Sequence, residues 1–146
     1  MNTTGIRKDL LPTEEAEQRA LALWLDWHKI LWCHVPNGGE RSKAVAGKLK
    51  AAGVKAGVPD VLVFDPPRRC NRPGCTDHVV ACPLDRVGVA IELKRRKPAA
   101  SRVSVEQDAW ANDLSERGWI VAICYGADEA IALLTELGYA TKGRQP

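Results

Sequence analysis

The stretch Gly88-Val89-Ala90-Ile91-Glu92-Leu93-Lys94 decides how the chain is read. Val89 and Ile91 favour the extended form, so a β-strand is predicted. Side chains alternate faces along a strand. Glu92 and Lys94 therefore share one face, while Ile91 and Leu93 share the other. A carboxylate beside an ammonium suits a place where a cation and a charged group are held together. A second acid ends the segment Gly57-Val58-Pro59-Asp60, immediately before the apolar run Val61-Leu62-Val63-Phe64. If these two strands pair, Asp60 and Glu92 meet at one edge.

Downstream, Arg95-Arg96-Lys97-Pro98 ends the strand with positive charge. Ser104 then caps a helix, with Gln107 at the third helical position as in a capping box, and Gly118 stops it near Arg117. The run from Trp119 to Tyr125 is the most continuous apolar one and is expected to be a central buried strand. A last helix follows Gly126 and includes Leu134 and Leu137. Upstream, Thr13 opens a helix whose first turn is acidic. Glu14, Gln18, Leu21 and Leu25 recur at helical spacing, a face expected to lie on the sheet. Leu31–Val35 is a short strand, broken by Pro36-Asn37-Gly38-Gly39. A basic helix from Ser42 to Ala52 exposes Lys43, Lys48 and Lys50 and turns Val45 and Leu49 inward. The order is helix, strand, basic helix, strand, excursion, strand, helix, strand, helix, which predicts a mixed α/β sheet flanked by helices. Residues 1–12 are expected to be a flexible lead-in, 13–140 one domain with an excursion at 65–86, and 141–146 a flexible tail.

Of 146 residues, 45% are hydrophobic and 27% charged, the balance of a globular protein, and the formal net charge is +3. That mild basicity suits a nucleic-acid partner without requiring one. No run of about 18 apolar residues is present, so no membrane span is expected. The N-terminus lacks the apolar core of a signal peptide, which makes the cytoplasm the expected location. The odd count of five cysteines argues against a disulfide framework. Cys33 and Cys124 fall in strands and are expected to be buried packing residues. Among the tryptophans, Trp27 is the one expected to be exposed, and core packing is expected for most of the others.

Two carboxylates converging on one point repel each other unless a cation lies between them. Oxygen ligands select hard ions such as Mg²⁺ or Mn²⁺, which polarise phosphates and acidify bound water. Lys94 lies about 7 Å along the same strand face as Glu92. It is placed to orient or deprotonate water or to stabilise charge on phosphorus. The chemistry that follows is metal-assisted phosphodiester hydrolysis.

Pro59-Asp60 followed by Glu92-Leu93-Lys94 resembles the PD-(D/E)XK nuclease signature. Four segments in order resemble the VRR-NUC family, in particular its stand-alone phage and bacterial members. They are Thr13-Glu14 with Gln18, Leu21 and Trp24; Val35 to Gly39 through Lys48-Leu49-Lys50; Gly53 to Asp60; and Ile91 to Lys94 with Ser104, Gln107, Trp110, Leu114 and Gly118. The resemblance implies a restriction-endonuclease-like αβββαβ core with a four-stranded mixed sheet. It implies Mg²⁺ or Mn²⁺ ligation by Asp60 and Glu92, a catalytic Lys94, and supporting roles for Glu14 and Gln107, with Glu17 as the substitute if the helix register differs. It implies a homodimeric endonuclease acting on branched DNA. Lys43, Lys55, Arg95, Arg96 and Lys97 fit as DNA contacts.

The excursion holds Cys70, Cys75, His78 and Cys82 in the spacing C-x₄-C-x₂-H-x₃-C. Three thiolates and an imidazole complete a tetrahedral set for structural Zn²⁺. Free cysteines in a loop and a redox pair of Cys70 and Cys75 are the other readings. Two functions compete with the nuclease: a non-catalytic DNA-binding module stabilised by zinc, and a thiol redox protein.

Overall fold

Leu21 and Leu25 lie one helical turn apart and are fully buried. That spacing turns the first helix, α1 (Glu14–Trp27), onto the sheet. Thr13 caps it, its hydroxyl accepting the Ala16 N–H at 3.1 Å. The computed structural model describes residues 7–37, 42–68 and 85–140. After a 3₁₀ turn (Lys8–Leu10) and α1, the elements are β1 (Trp32–His34), α2 (Lys43–Ala51), β2 (Val61–Val63), β3 (Gly88–Lys94), α3 (Val105–Glu116), β4 (Trp119–Tyr125) and α4 (Ala127–Glu136).

The four strands form one sheet in the order β1-β2-β3-β4. β1 with β2 and β2 with β3 are antiparallel, whereas β3 and β4 run parallel, joined by the α3 crossover. This is the predicted mixed four-stranded sheet. Val61, Val63, Val89, Ile91 and Leu93 point to one face, where they join Leu21 and Leu25 of α1 and Ala130 and Leu134 of α4 in the core. Each fully buried leucine or valine there contributes about 1.5–3 kcal/mol. Glu92 and Lys94 point to the opposite face, toward α3. The two faces of β3 thus divide the molecule into a packing side and a chemical side.

Several expectations change. β4 is not central: it is the outer strand, and Ile123 is 37% exposed. Every residue of β3 is buried instead, because that strand has a partner on each side. The charged Glu92 and Lys94 concealed how deep β3 lies. Cys33 is exposed on the short edge strand β1, while Cys124 is buried as expected. In α2, Val45 is 46% exposed rather than inward, and no residue of that helix is buried. Trp27 is exposed, and Trp24 and Trp32 pack against the core.

The turn after β4 shows why a glycine stands there. Gly126 has φ +96° and its N–H donates to the Lys94 carbonyl at 2.9 Å. An added Cβ would meet the Arg96 side chain at 2.9 Å. Cys70, Cys75, His78, Cys82, Gly38, Gly39 and Arg41 lie outside the described residues, as does the tail 141–146.

Candidate active site

Strand register builds the site. Val61 faces Ile91 and Val63 faces Val89 across the β2–β3 ladder. One step further along the same register sets Asp60 opposite Glu92. Pro59 has no N–H and cannot extend β2 as an ordinary ladder strand. The Asp60 side chain takes over, its Oδ2 accepting the Leu93 N–H at 2.8 Å. On its other side the Asp60 carbonyl still accepts the Val35 N–H at 2.7 Å and the His34 Nδ1–H at 2.9 Å. Asn37 secures the same segment by donating from Nδ2 to the Val58 carbonyl at 2.5 Å.

Gly57 fixes the segment from the other flank. It has φ +82°, and an added Cβ would lie 2.5 Å from the backbone carbon of Glu106 in the first turn of α3. This contact presses the loop carrying Asp60 onto the helix carrying Gln107.

Glu92 and Lys94 form a buried ion pair, with Lys94 Nζ 2.9 Å from Glu92 Oε1. Gln107 ties both together. Its Nε2 donates to Glu92 Oε1. Its Oε1 accepts from Lys94 Nζ at 3.1 Å and from the Ser104 N–H at 2.9 Å. The Ser104 hydroxyl accepts the Gln107 N–H in return, which completes a capping box. Capping and site support, alternatives in the sequence, are therefore one device here. Because a main-chain N–H claims Oε1, Nε2 is left to face the carboxylate.

The carboxyls gathered here are held above their ordinary values. Burial pushes the Glu92 carboxyl up to about 7; the Lys94 hydrogen bond opposes this, and Asp60 and Glu14 add to it. Burial likewise raises Asp60, against the Leu93 N–H and Lys94. Glu14 is raised by burial and by Asp60. Glu14 and Asp60 line one cleft of about 380 Å³ together with Gln18, His34 and Asn37. Gln18 Nε2 is buried without a partner among the described residues.

Glu17 has a different task. It is buried, accepts from Arg96 Nε at 2.6 Å and receives the Ala127 N–H at 2.8 Å. Burial pushes its carboxyl up, but Arg96 and the Ala127 N–H hold it below its ordinary value. The helix register thus turns Glu14 to the cleft and Glu17 to the start of α4. The basic run after Lys94 is also engaged. Arg96 pairs with Glu17 and, at 2.9 Å, with Asp128. Arg95 donates to the Leu11 and Pro12 carbonyls, both at 3.0 Å. Lys97 Nζ lies 4.3 Å over the Tyr125 ring. Lys43 and Lys55 are exposed at α2 and just beyond it. His34 and Gly57 have site roles that went unassigned in the sequence. His34 lies in the segment read as a short strand and Gly57 in the approach to Asp60, and neither position carries a local signal of contact with the Asp60 segment.

The donor set fits a hard divalent ion. Among the described residues no group of three His, Cys, Asp or Glu side chains is close enough to enclose a metal. Mg²⁺ and Mn²⁺ need no such cage, since Mg²⁺ is commonly held by one or two carboxylates and keeps its waters. Asp60 and Glu92 supply two.

A mixed sheet with acids and a lysine gathered where its antiparallel half meets its parallel half defines a restriction-endonuclease-like domain. The VRR-NUC domain profile matches residues 12–128. The chain belongs to the VRR-NUC family, whose domain is of nuclease type. A solved structure described as a VRR_NUC domain protein shares the fold, with a TM-score of 0.61 at 21% identity, covering 87% of this chain and 88% of that one. Among curated proteins, none matches significantly.

Proposed function

We propose that the chain is a divalent-metal-dependent endonuclease that hydrolyses DNA phosphodiester bonds. The observation that carries this reading is the placement of Asp60 opposite Glu92, with Lys94 and Gln107 locked beside them. Asp60 and Glu92 would hold Mg²⁺ or Mn²⁺, which supplies phosphate polarisation and a more acidic bound water. Glu14 lines the same cleft as Asp60 and would accept a hydrogen bond from water held there. Lys94 has three N–H groups. Glu92 and Gln107 occupy two of them, and the third is available to a non-bridging phosphate oxygen, where its charge stabilises the pentavalent transition state. The attacking water gives up a proton to solvent as it adds to phosphorus, the opposite P–O bond breaks, and the leaving oxygen takes up a proton from a second water.

Branched DNA is the proposed substrate and a homodimer the proposed active form, since resolving a junction takes two cuts. The Cys70, Cys75, His78 and Cys82 set is the proposed structural zinc site, checked by zinc content with and without Cys75→Ser. The deciding test uses labelled four-way, flap and duplex DNA with Mg²⁺ or Mn²⁺. Glu92→Ala and Lys94→Ala are expected to lose at least about 100-fold in cleavage. Wild-type rates in both variants would overturn the mechanism, and sedimentation of the protein alone decides the dimer.

A further inference from the structure

The helix α2 contributes no buried residue, yet it lies beside an apolar cleft. The cleft holds about 330 Å³ and is walled by Val35, Pro36, Leu49, Val54, Val58 and Trp110. That volume is at the lower end of small-ligand sites, roughly 300–1,000 Å³. Pro36 and Asn37 line both this cleft and the carboxylate cleft, so the two are adjoining compartments of one groove. A further cleft of about 480 Å³, which includes Lys50, shares Asn37, Leu49, Val54 and Lys55 with it. Among the described residues, no salt bridge involves Lys43, Lys48, Lys50 or Lys55.

We propose that the apolar cleft is a nucleobase pocket that takes the unpaired base of the nucleotide next to the scissile phosphate, while Lys55 on its lining and Lys50 in the adjoining cleft hold neighbouring phosphates of the strand. This rests on the nuclease reading of the adjoining carboxylate site. A base offers flat apolar faces and a polar edge; the pocket offers aliphatic walls, one indole and the Asn37 amide. A paired base is confined in its stack and cannot enter. An unpaired one can, and contact between a base and an aromatic ring contributes about 1–3 kcal/mol. The charges fit a DNA strand: carboxylates line the adjoining cleft, Lys55 lines the apolar pocket, and Lys50 lines the cleft beside it. The pocket thereby assigns the enzyme to DNA with a single-stranded branch at the cut.

The test places 2-aminopurine at the junction-proximal position of a short single-stranded flap. Binding of the full-length protein is followed without divalent ions, by base fluorescence and by anisotropy, against a continuous duplex. Wild-type protein is expected to quench the 2-aminopurine and to bind the flap at least about 10-fold tighter than the duplex. Val54 is 41% exposed, so Val54→Glu places a carboxylate on the pocket wall without disturbing the core. It is expected to abolish quenching and bring the flap-to-duplex ratio to about 1, at an unchanged melting temperature. Trp110→Phe is expected to reduce quenching while retaining part of the preference. Wild-type quenching and ratio in Val54→Glu overturn the pocket, whatever the cleavage assays show. Cleavage that survives Glu92→Ala and Lys94→Ala overturns the nuclease reading and leaves the quenching result standing.

Discussion

Gln107 joins two jobs in one side chain, and its substitutions separate them. Gln107→Ala removes the side-chain half of the capping box together with the Glu92 and Lys94 contacts, while the Ser104 hydroxyl still accepts the main-chain N–H. It should cost about 1 kcal/mol of stability and reduce cleavage by roughly 10- to 100-fold. Gln107→Glu keeps an acceptor for Ser104 but sets a second carboxylate against Glu92, so it should lose more activity than Gln107→Ala while melting at a higher temperature at low pH. Thermal melts and cleavage rates on the same samples check this. Glu92 also gives stability a pH dependence. Its carboxyl is at about 7 in the folded chain, against an ordinary 4.5. Between those values the folded state holds a proton that the unfolded chain has released. Metal-free stability therefore falls as pH rises from about 4.5 to 7, by roughly 1–3 kcal/mol. Glu92→Gln should flatten that slope in melts followed by circular dichroism. On the proposed ligation by Glu92, Mg²⁺ would favour the ionised form and should raise the melting temperature more at about pH 8 than at about pH 5.

At the scale of elements, the alternation of Glu92 and Lys94 on β3, the Ser104 cap and the helix α1 were all legible in the sequence, because each rests on local spacing. What was not legible depends on neighbours. The apolar run Trp119–Tyr125 signals burial by composition, yet only the strand order reveals that β4 has one partner and β3 has two. The cluster Arg95–Lys97 looks like a phosphate clamp, but Glu17 is 79 positions from Arg96 in the chain and gives no local hint of their pairing. Arg96→Ala leaves the buried Glu17 charge with only the Ala127 N–H. It should destabilise the fold by about 2–4 kcal/mol while leaving the salt dependence of DNA binding unchanged, as melts and binding titrations will show. Gly57→Ala tests the loop-to-helix contact. A positive φ and a backbone neighbour at 2.5 Å leave a Cβ no room. The variant should lose about 1–3 kcal/mol and bind Mg²⁺ more weakly, measured by calorimetry.

For the molecule as a whole, the charge is distributed by function. Carboxylates occupy the end of the sheet where β2 and β3 meet, and the lysines of α2 are exposed and form no salt bridge among the described residues. Binding to DNA should weaken linearly with the logarithm of salt, and each of Lys50→Ala and Lys55→Ala should reduce that slope by about 0.9. Fluorescence titrations over a salt series measure it.

The register of β2 and β3 has a consequence for how such a chain can change length. Val63 pairs with Val89 at the end of the hairpin away from Asp60 and Glu92. The chain therefore leaves and rejoins the sheet about 10 Å from the acids. Whatever is inserted there hangs from the far side of a ladder that already holds the acids in place. Doubling such a loop costs only about 0.6 kcal/mol of closure entropy. The hairpin end should therefore accept exchanged or grafted segments while the Asp60–Glu92 register is kept.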